Sequence, residues 1–229
     1  MTTPELQLSP DDFSVHVQWG SRASGVEETG GLLASVLTLT ADAEPRITVW
    51  FPTDTDSWGY AVSGLSHAPD PMIGLAKELA DGDPPAVRVE METSDVERTG
   101  APLSSLDIVI GSVDPYDPNH VTWTLREAGE RFLSSTGGAI SMLRALILLV
   151  DPDWAAISSR EIDRLQAVDP NGPTVGWVTY VAHRILRAGV TPPPGVSAEP
   201  THRGYLFTLA PRPEQTSVAA VQAMAAALR

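Results

Sequence analysis

The stretch Phe13-Ser14-Val15-His16-Val17-Gln18-Trp19 alternates apolar and polar side chains. Successive side chains of a β-strand point to opposite faces of a sheet, so this alternation predicts a strand with one buried face and one wetter face. From residue 87 onward a similar alternation places Arg88, Glu90 and Glu92 together, which predicts a strand with one charged face. Other apolar or alternating segments predict further strands at residues 47–51, 106–110, 120–125, 154–157, 175–181 and 204–209.

Helical periodicity separates several of these strands. Residues 24–40 read as a helix with Ser24 as its N-cap and Glu27 as the capping-box acid. Further helices are expected at residues 71–79, 136–150, around 161–165 and 214–228, and a proline-rich loop at residues 192–201. Because strands and helices mix without a regular βαβ alternation, we expect an α+β fold. We predict a single domain over residues 1–229, with a mainly antiparallel sheet and packed helices.

Composition restricts the classes of partner. The chain of 229 residues carries a formal net charge of -14 and no cysteine. Such a charge repels phosphate backbones and disfavours nucleic-acid binding, whereas it attracts a basic protein partner. No apolar run approaches the roughly 20 residues that span a bilayer, and residues 1–5 do not resemble a secretory signal. We therefore expect a cytoplasmic protein that does not bind membranes.

Sequence signatures of catalysis are sparse. The chain lacks a phosphate-binding glycine loop with its lysine and a Gly-x-Ser-x-Gly nucleophile motif, and its lack of cysteine excludes thiol chemistry. We accordingly predict no catalytic residue, no bound metal and no cofactor. The main alternative is a metal-dependent hydrolase in which Asp114, Asp117 and His120 converge on a divalent ion. An Asp/Pro/Asn turn between two strands explains the same residues, and we favour that interpretation.

Aromatic residues suggest both core and surface positions. Five of the six tryptophans lie in or beside predicted strands, where a large ring is typical of a core. The exception is Trp58, which lies in a polar loop with Asp54 and Asp56. An exposed aromatic side chain beside acids is typical of an interface anchor, so these three residues form one predicted partner-binding group. The second predicted group lies in the turn before the 120–125 strand and consists of Asp114, Tyr116 and Asp117.

Several segments, in order along residues 13–209, resemble the immunity protein 52 family of bacterial polymorphic-toxin systems. Trp19-Gly20-Ser21-Arg22 is similar to that family's strand-to-helix motif, and Asp151-Pro152-Asp153-Trp154 resembles its Pro-Asp-Trp motif. The most specific segment is Val175-Gly176-Trp177-Val178-Thr179-Tyr180-Val181, which resembles a Gly-Trp-x-Thr-Tyr block. The motif positions are expected to define the fold more than to contact a partner: Trp19, Arg22, Asp153, Trp154, Gly176, Trp177 and Tyr180.

The resemblance implies a non-enzymatic protein that binds and silences a toxin made by the same cell. In some systems the toxin is a nuclease delivered by a secretion machine such as type VI secretion. A nuclease presents a basic surface to phosphate, which an acidic inhibitor can cover. The other alternative is a secretion-system adaptor or chaperone, which would bind its partner without abolishing the partner's activity.

Overall fold

The computed structural model describes residues 13–53, 59–65, 67–94, 102–126, 138–166, 172–187 and 190–229. Within these ranges the chain forms ten strands: β1 Phe13–Trp19, β2 Val49–Pro52, β3 Tyr60–Ala61, β4 Val87–Ser94, β5 Pro102–Ile110, β6 Asn119–Leu125, β7 Trp154–Ser159, β8 Val178–Ala182, β9 Ser197–Pro200 and β10 Gly204–Thr208. The same ranges contain five α-helices: α1 Val26–Ala43, α2 Asp70–Leu79, α3 Gly138–Val150, α4 Arg160–Asp163 and α5 Val218–Leu228. Short 3-10 turns occupy Val62–Gly64 and Pro213–Gln215.

The chain divides into two compact units, and the unit comprising Trp19–Arg126 contains β2 to β6. Its strands lie in the order β3-β2-β4-β5-β6, and each neighbouring pair is antiparallel. Helix α1 packs against α2, and α2 packs against β4. One face of β4, β5 and β6 is apolar and buried, as the alternation of their sequences requires.

The second unit comprises Met1–Gln18 and Glu127–Arg229. Its strands lie in the order β1-β7-β8-β10-β9, again with antiparallel neighbours. Strands β7 and β8 are buried on both faces, which explains why their sequences read as apolar runs without alternation. Helices α3 and α4 pack against β7.

The α+β class and the mainly antiparallel sheet are confirmed, while the organisation as one domain stays a prediction. Several boundaries were predicted wrongly. Gly25 precedes α1 as its N-cap without a side-chain bond, so Ser24 is not the cap. Strand β8 begins at Val178 because Gly176 N–H bonds back to Thr179 Oγ1 in a local turn. The expected loop at 192–201 contains strand β9, all four residues of which are exposed.

None of the described helices combines the length and apolar character needed to cross a bilayer.

Candidate functional site

The unit Trp19–Arg126 presents an open polar face on β4, β5 and β6. Cross-strand pairing places Glu90 opposite Asp107 and Asp107 opposite Thr122, while Glu92, Ser105 and Thr124 form the next row. We call these residues, together with Arg88 and His120, the acidic sheet face. Their neighbours along each strand are buried, so the pleat of the sheet alone turns this polar set outward.

An open groove of about 270 Å³ lies on this face. Its lining includes Thr53, Glu90, Glu92 and Asp107. Among the described residues, the carboxylates of Glu90 and Glu92 have no ion-pair or hydrogen-bond partner. The Oδ1 atom of Asp107 is buried and likewise has no hydrogen-bond partner there. The groove therefore offers the exposed carboxylate oxygens of Glu90 and Glu92 to a donor from outside the chain.

His120 and Asp107 lie on the acidic sheet face and form a hydrogen-bonded pair that shifts the pKa of both groups. His120 Nε2 lies 3.1 Å from Asp107 Oδ2, and its Nδ1 lies 3.1 Å from the Pro118 carbonyl oxygen. Both partners are acceptors, so the imidazolium form, with two N–H donors, is the one that satisfies both contacts. Burial lowers the pKa of His120, but the bonds to Asp107 and Pro118 outweigh it and raise that pKa overall. The same bond to His120 lowers the pKa of Asp107.

An aromatic side chain borders the acidic face. Phe51 of β2 pairs with Glu92 across the strands and therefore shares its face, and Phe51 remains 42% exposed. A Cβ atom added to Gly59 would lie 2.4 Å from the Phe51 ring and 2.6 Å from Val49. Glycine at position 59 thus lets the ring lie against the backbone, which holds an exposed aromatic group in place.

The turn between β5 and β6 extends the surface beyond the strands. Tyr116 is 88% exposed and Val113 is 49% exposed. Asp114 Oδ1 accepts a hydrogen bond from the Tyr116 N–H at 2.8 Å, which shapes the turn. Asp117 pairs with Arg88 of β4 at 2.6 Å. The structure therefore brings the predicted residues Asp114, Tyr116 and Asp117 together, at one end of the acidic sheet face.

Buried Asn119 holds this turn in position. Its Oδ1 accepts from the Ser112 N–H, and its Nδ2 donates to the carbonyl oxygens of Gly20 and Ser112 at 3.0 Å. The Arg22 N–H also bonds to the Ser112 carbonyl oxygen. The N-terminal motif containing Trp19 and Arg22 thus supports a turn about 90 residues later in the chain.

The three residues of the metal hypothesis have separate partners. Asp114 bonds within the turn, Asp117 pairs with Arg88, and His120 faces Asp107 and Pro118. In the part of the chain that the structure describes, no group of three or more His, Asp or Glu side chains is arranged to hold a metal ion. This geometry favours the turn interpretation over the hydrolase alternative.

The other predicted partner-binding group, Asp54, Asp56 and Trp58, lies outside the described residues. The chain enters that segment from Thr53, which lines the groove, and leaves it at Gly59 beside Phe51. Its role in binding stays a prediction.

The motif residues of the second unit occupy structural positions. Trp154, Trp177 and Tyr180 are buried, and Trp177 Nε1 donates to the Ala210 carbonyl oxygen at 2.8 Å. A Cβ atom on Gly176 would lie 2.1 Å from the Ile157 carbonyl oxygen, so glycine allows two backbones to approach closely. Trp19 is also buried, in agreement with the expected core role of the strand tryptophans.

The backbone of Asp153 links neighbouring segments of the sheet, and its side chain pairs with a cation. Its N–H bonds to Gln18 and its carbonyl oxygen accepts from Ala182, both at 2.8 Å. Its carboxylate pairs with Arg184, which also donates to the carbonyl oxygen of Asp151 at 2.7 Å. Asp151 adopts a positive φ of 49°, and these contacts hold that turn.

Sequence reasoning identified the charged side of β4 but missed Asp107, Thr122, Thr124 and Phe51 as surface residues. The alternation of polar residues at 105 and 107, and at 120, 122 and 124, was a usable signal for the first three. Phe51 gave no such signal, because an aromatic residue in a strand usually predicts a core position.

Comparison with known proteins identifies the family. The sequence matches the family model of Immunity protein 52 over residues 11–229. No curated protein sequence matches it significantly. Among solved structures, the fold is similar to that of the Pseudomonas aeruginosa T6SS protein PA0821, with a TM-score of 0.59 and 12% sequence identity over 95% of this chain and 75% of that chain. At that identity the likeness concerns the fold alone. Because the family match covers nearly the whole sequence, the chain belongs to the immunity protein 52 family.

Proposed function

We propose that this immunity protein binds a cognate bacterial toxin stoichiometrically in the cytoplasm and neutralises it without catalysis. The family match over residues 11–229 is the observation that carries the proposal. We further propose that the toxin has a basic active-site surface, as a nuclease has, and is delivered by a type VI secretion system. The fold likeness to a T6SS protein is consistent with that setting.

The physical argument for a basic partner begins with charge. A net charge of -14 raises the encounter rate with a cationic protein and opposes binding to nucleic acid. Fast encounter alone does not give lasting inhibition, because slow dissociation requires anchors that are buried on binding. The exposed ring of Tyr116, between Asp114 and Asp117, provides such an anchor in our proposal. Asp54, Asp56 and Trp58 are proposed as a second contact group.

Co-expression tests the proposal directly. The toxin encoded by the neighbouring gene is induced in a heterologous bacterium with this protein, with an empty vector, or with an unrelated protein of similar negative charge. We expect growth to be restored only by this protein, and a one-to-one complex to co-purify. Continued killing without a complex would contradict the proposal. A complex that leaves the toxin fully active in vitro would instead identify an adaptor or chaperone.

A further inference from the structure

The acidic sheet face differs from an ordinary solvated sheet surface in how its acceptors are arranged. Glu90 and Asp107 lie directly opposite each other on β4 and β5, and Glu92 follows on the same side of β4. Repulsion between such neighbouring carboxylates costs stability unless a cation lies nearby. Arg88 pairs with Asp117 and His120 bonds to Asp107, so neither of these groups on the face pairs with the carboxylate of Glu90 or Glu92.

Only one of the two carboxylate oxygens of Asp107 has a hydrogen-bond partner among the described residues. His120 occupies Oδ2, whereas Oδ1 is buried without a partner among the described residues. The groove beside Asp107 leaves room for a donor from a partner to approach the exposed carboxylates of Glu90 and Glu92, which line it.

Two exposed aromatic side chains border the same surface. Phe51 lies beside Glu92 at one side, and Tyr116 lies on the turn whose Asp117 pairs with Arg88. Aromatic anchors around a charged centre exclude water from it when a partner covers them, which strengthens the ion pairs formed there.

From this arrangement we propose that the acidic sheet face is the toxin-binding surface, and that it receives a toxin segment bearing lysine or arginine side chains. The argument for this occupant is charge complementarity with Glu90, Glu92 and Asp107. The inference rests on the proposed immunity function and specifies the surface by which the protein would perform it. Phe51 and Tyr116 flank the contact in this arrangement.

Calorimetric titration of the full-length protein with the toxin of the neighbouring gene tests the surface. The double variant Glu90→Gln and Glu92→Gln removes two charges from exposed positions with little change in shape. A matched double variant, Asp42→Asn and Glu78→Gln, removes two exposed charges from helices α1 and α2. We expect the sheet-face variant to weaken binding by about tenfold or more and the helix variant by less than about twofold. Circular dichroism verifies that both remain folded.

The outcomes separate this inference from the function on which it rests. Equal affinity for the sheet-face variant and the wild-type protein would overturn the surface assignment and leave the immunity function intact. A loss of binding confined to Tyr116→Ala would also overturn it, in favour of the turn alone. Self-association through the face would overturn it too. It would appear in light scattering as a molecular mass that differs from the wild-type value only in the Glu90→Gln and Glu92→Gln double variant. If the wild-type protein neither bound the toxin nor protected cells, both proposals would fail.

Discussion

At the scale of single residues, His120 links fold stability to pH. Both of its ring nitrogens face acceptors, so its charged form is the one that fits the structure. A histidine whose pKa is raised on folding contributes stability that is fully present below its unfolded value of about 6.5, and this stability is lost as the pH rises through the folded value. Asp107 behaves in the opposite sense, because its lowered pKa contributes stability that is lost only in acid.

We therefore expect His120→Gln to lower the melting temperature more at pH 5.5 than at pH 9. Differential scanning calorimetry at both pH values measures this difference. His202→Gln, at an exposed position of the other unit, is the control for the substitution itself, and we expect it to leave the melting temperature close to the wild-type value. A destabilisation by His120→Gln that is equal at the two pH values would contradict the assignment of a charged His120.

At the scale of secondary-structure elements, glycine permits the close approach of strand β7 and the segment that leads into β8. The backbone of Gly176 lies against the Ile157 carbonyl oxygen, and Thr179 Oγ1 caps the Gly176 N–H. The adjacent Trp177 is fully buried and bonded to Ala210. The motif thus fixes the centre of its unit through close packing and hydrogen bonds.

Gly176→Ala should accordingly destabilise the protein by at least about 2 kcal/mol, because the added methyl group overlaps backbone atoms that cannot rotate away. Urea denaturation followed by tryptophan fluorescence measures the change. Gly31→Ala is a matched control in helix α1, where a Cβ atom meets nothing within 4 Å. Because alanine favours helix by up to about 1 kcal/mol, the control should be neutral or stabilising. Similar effects for the two substitutions would refute the packing explanation.

At the scale of the whole molecule, the charge of -14 should govern association kinetics. If the toxin is basic, we expect the association rate constant to fall about tenfold or more between roughly 20 mM and 500 mM NaCl, while the dissociation rate changes little. Stopped-flow fluorescence gives the first constant and a competition chase gives the second. An association rate that does not depend on salt would show that long-range attraction plays no part in capture.

The fold class followed from local patterns, since the alternation in β1, β4 and β6 predicts strands whatever their neighbours. Short exposed elements escaped prediction for the same reason. Strand β3 has two residues and β9 ends in proline at the margin of its sheet, so neither carries a hydrophobic period. The N-terminal boundary of α1 was also misplaced, because Gly25 rather than Ser24 precedes its first turn.

Local sequence patterns were enough to specify the strand alternation, the acidic charge, the family motifs and the polar turn containing Tyr116. By contrast, the row formed by Glu90, Asp107 and Thr122, and the support that Gly20 gives the turn through Asn119, became visible only in the folded chain. The physical reason is that strand register and long-range hydrogen bonds depend on pairing between distant segments, which local periodicity does not encode.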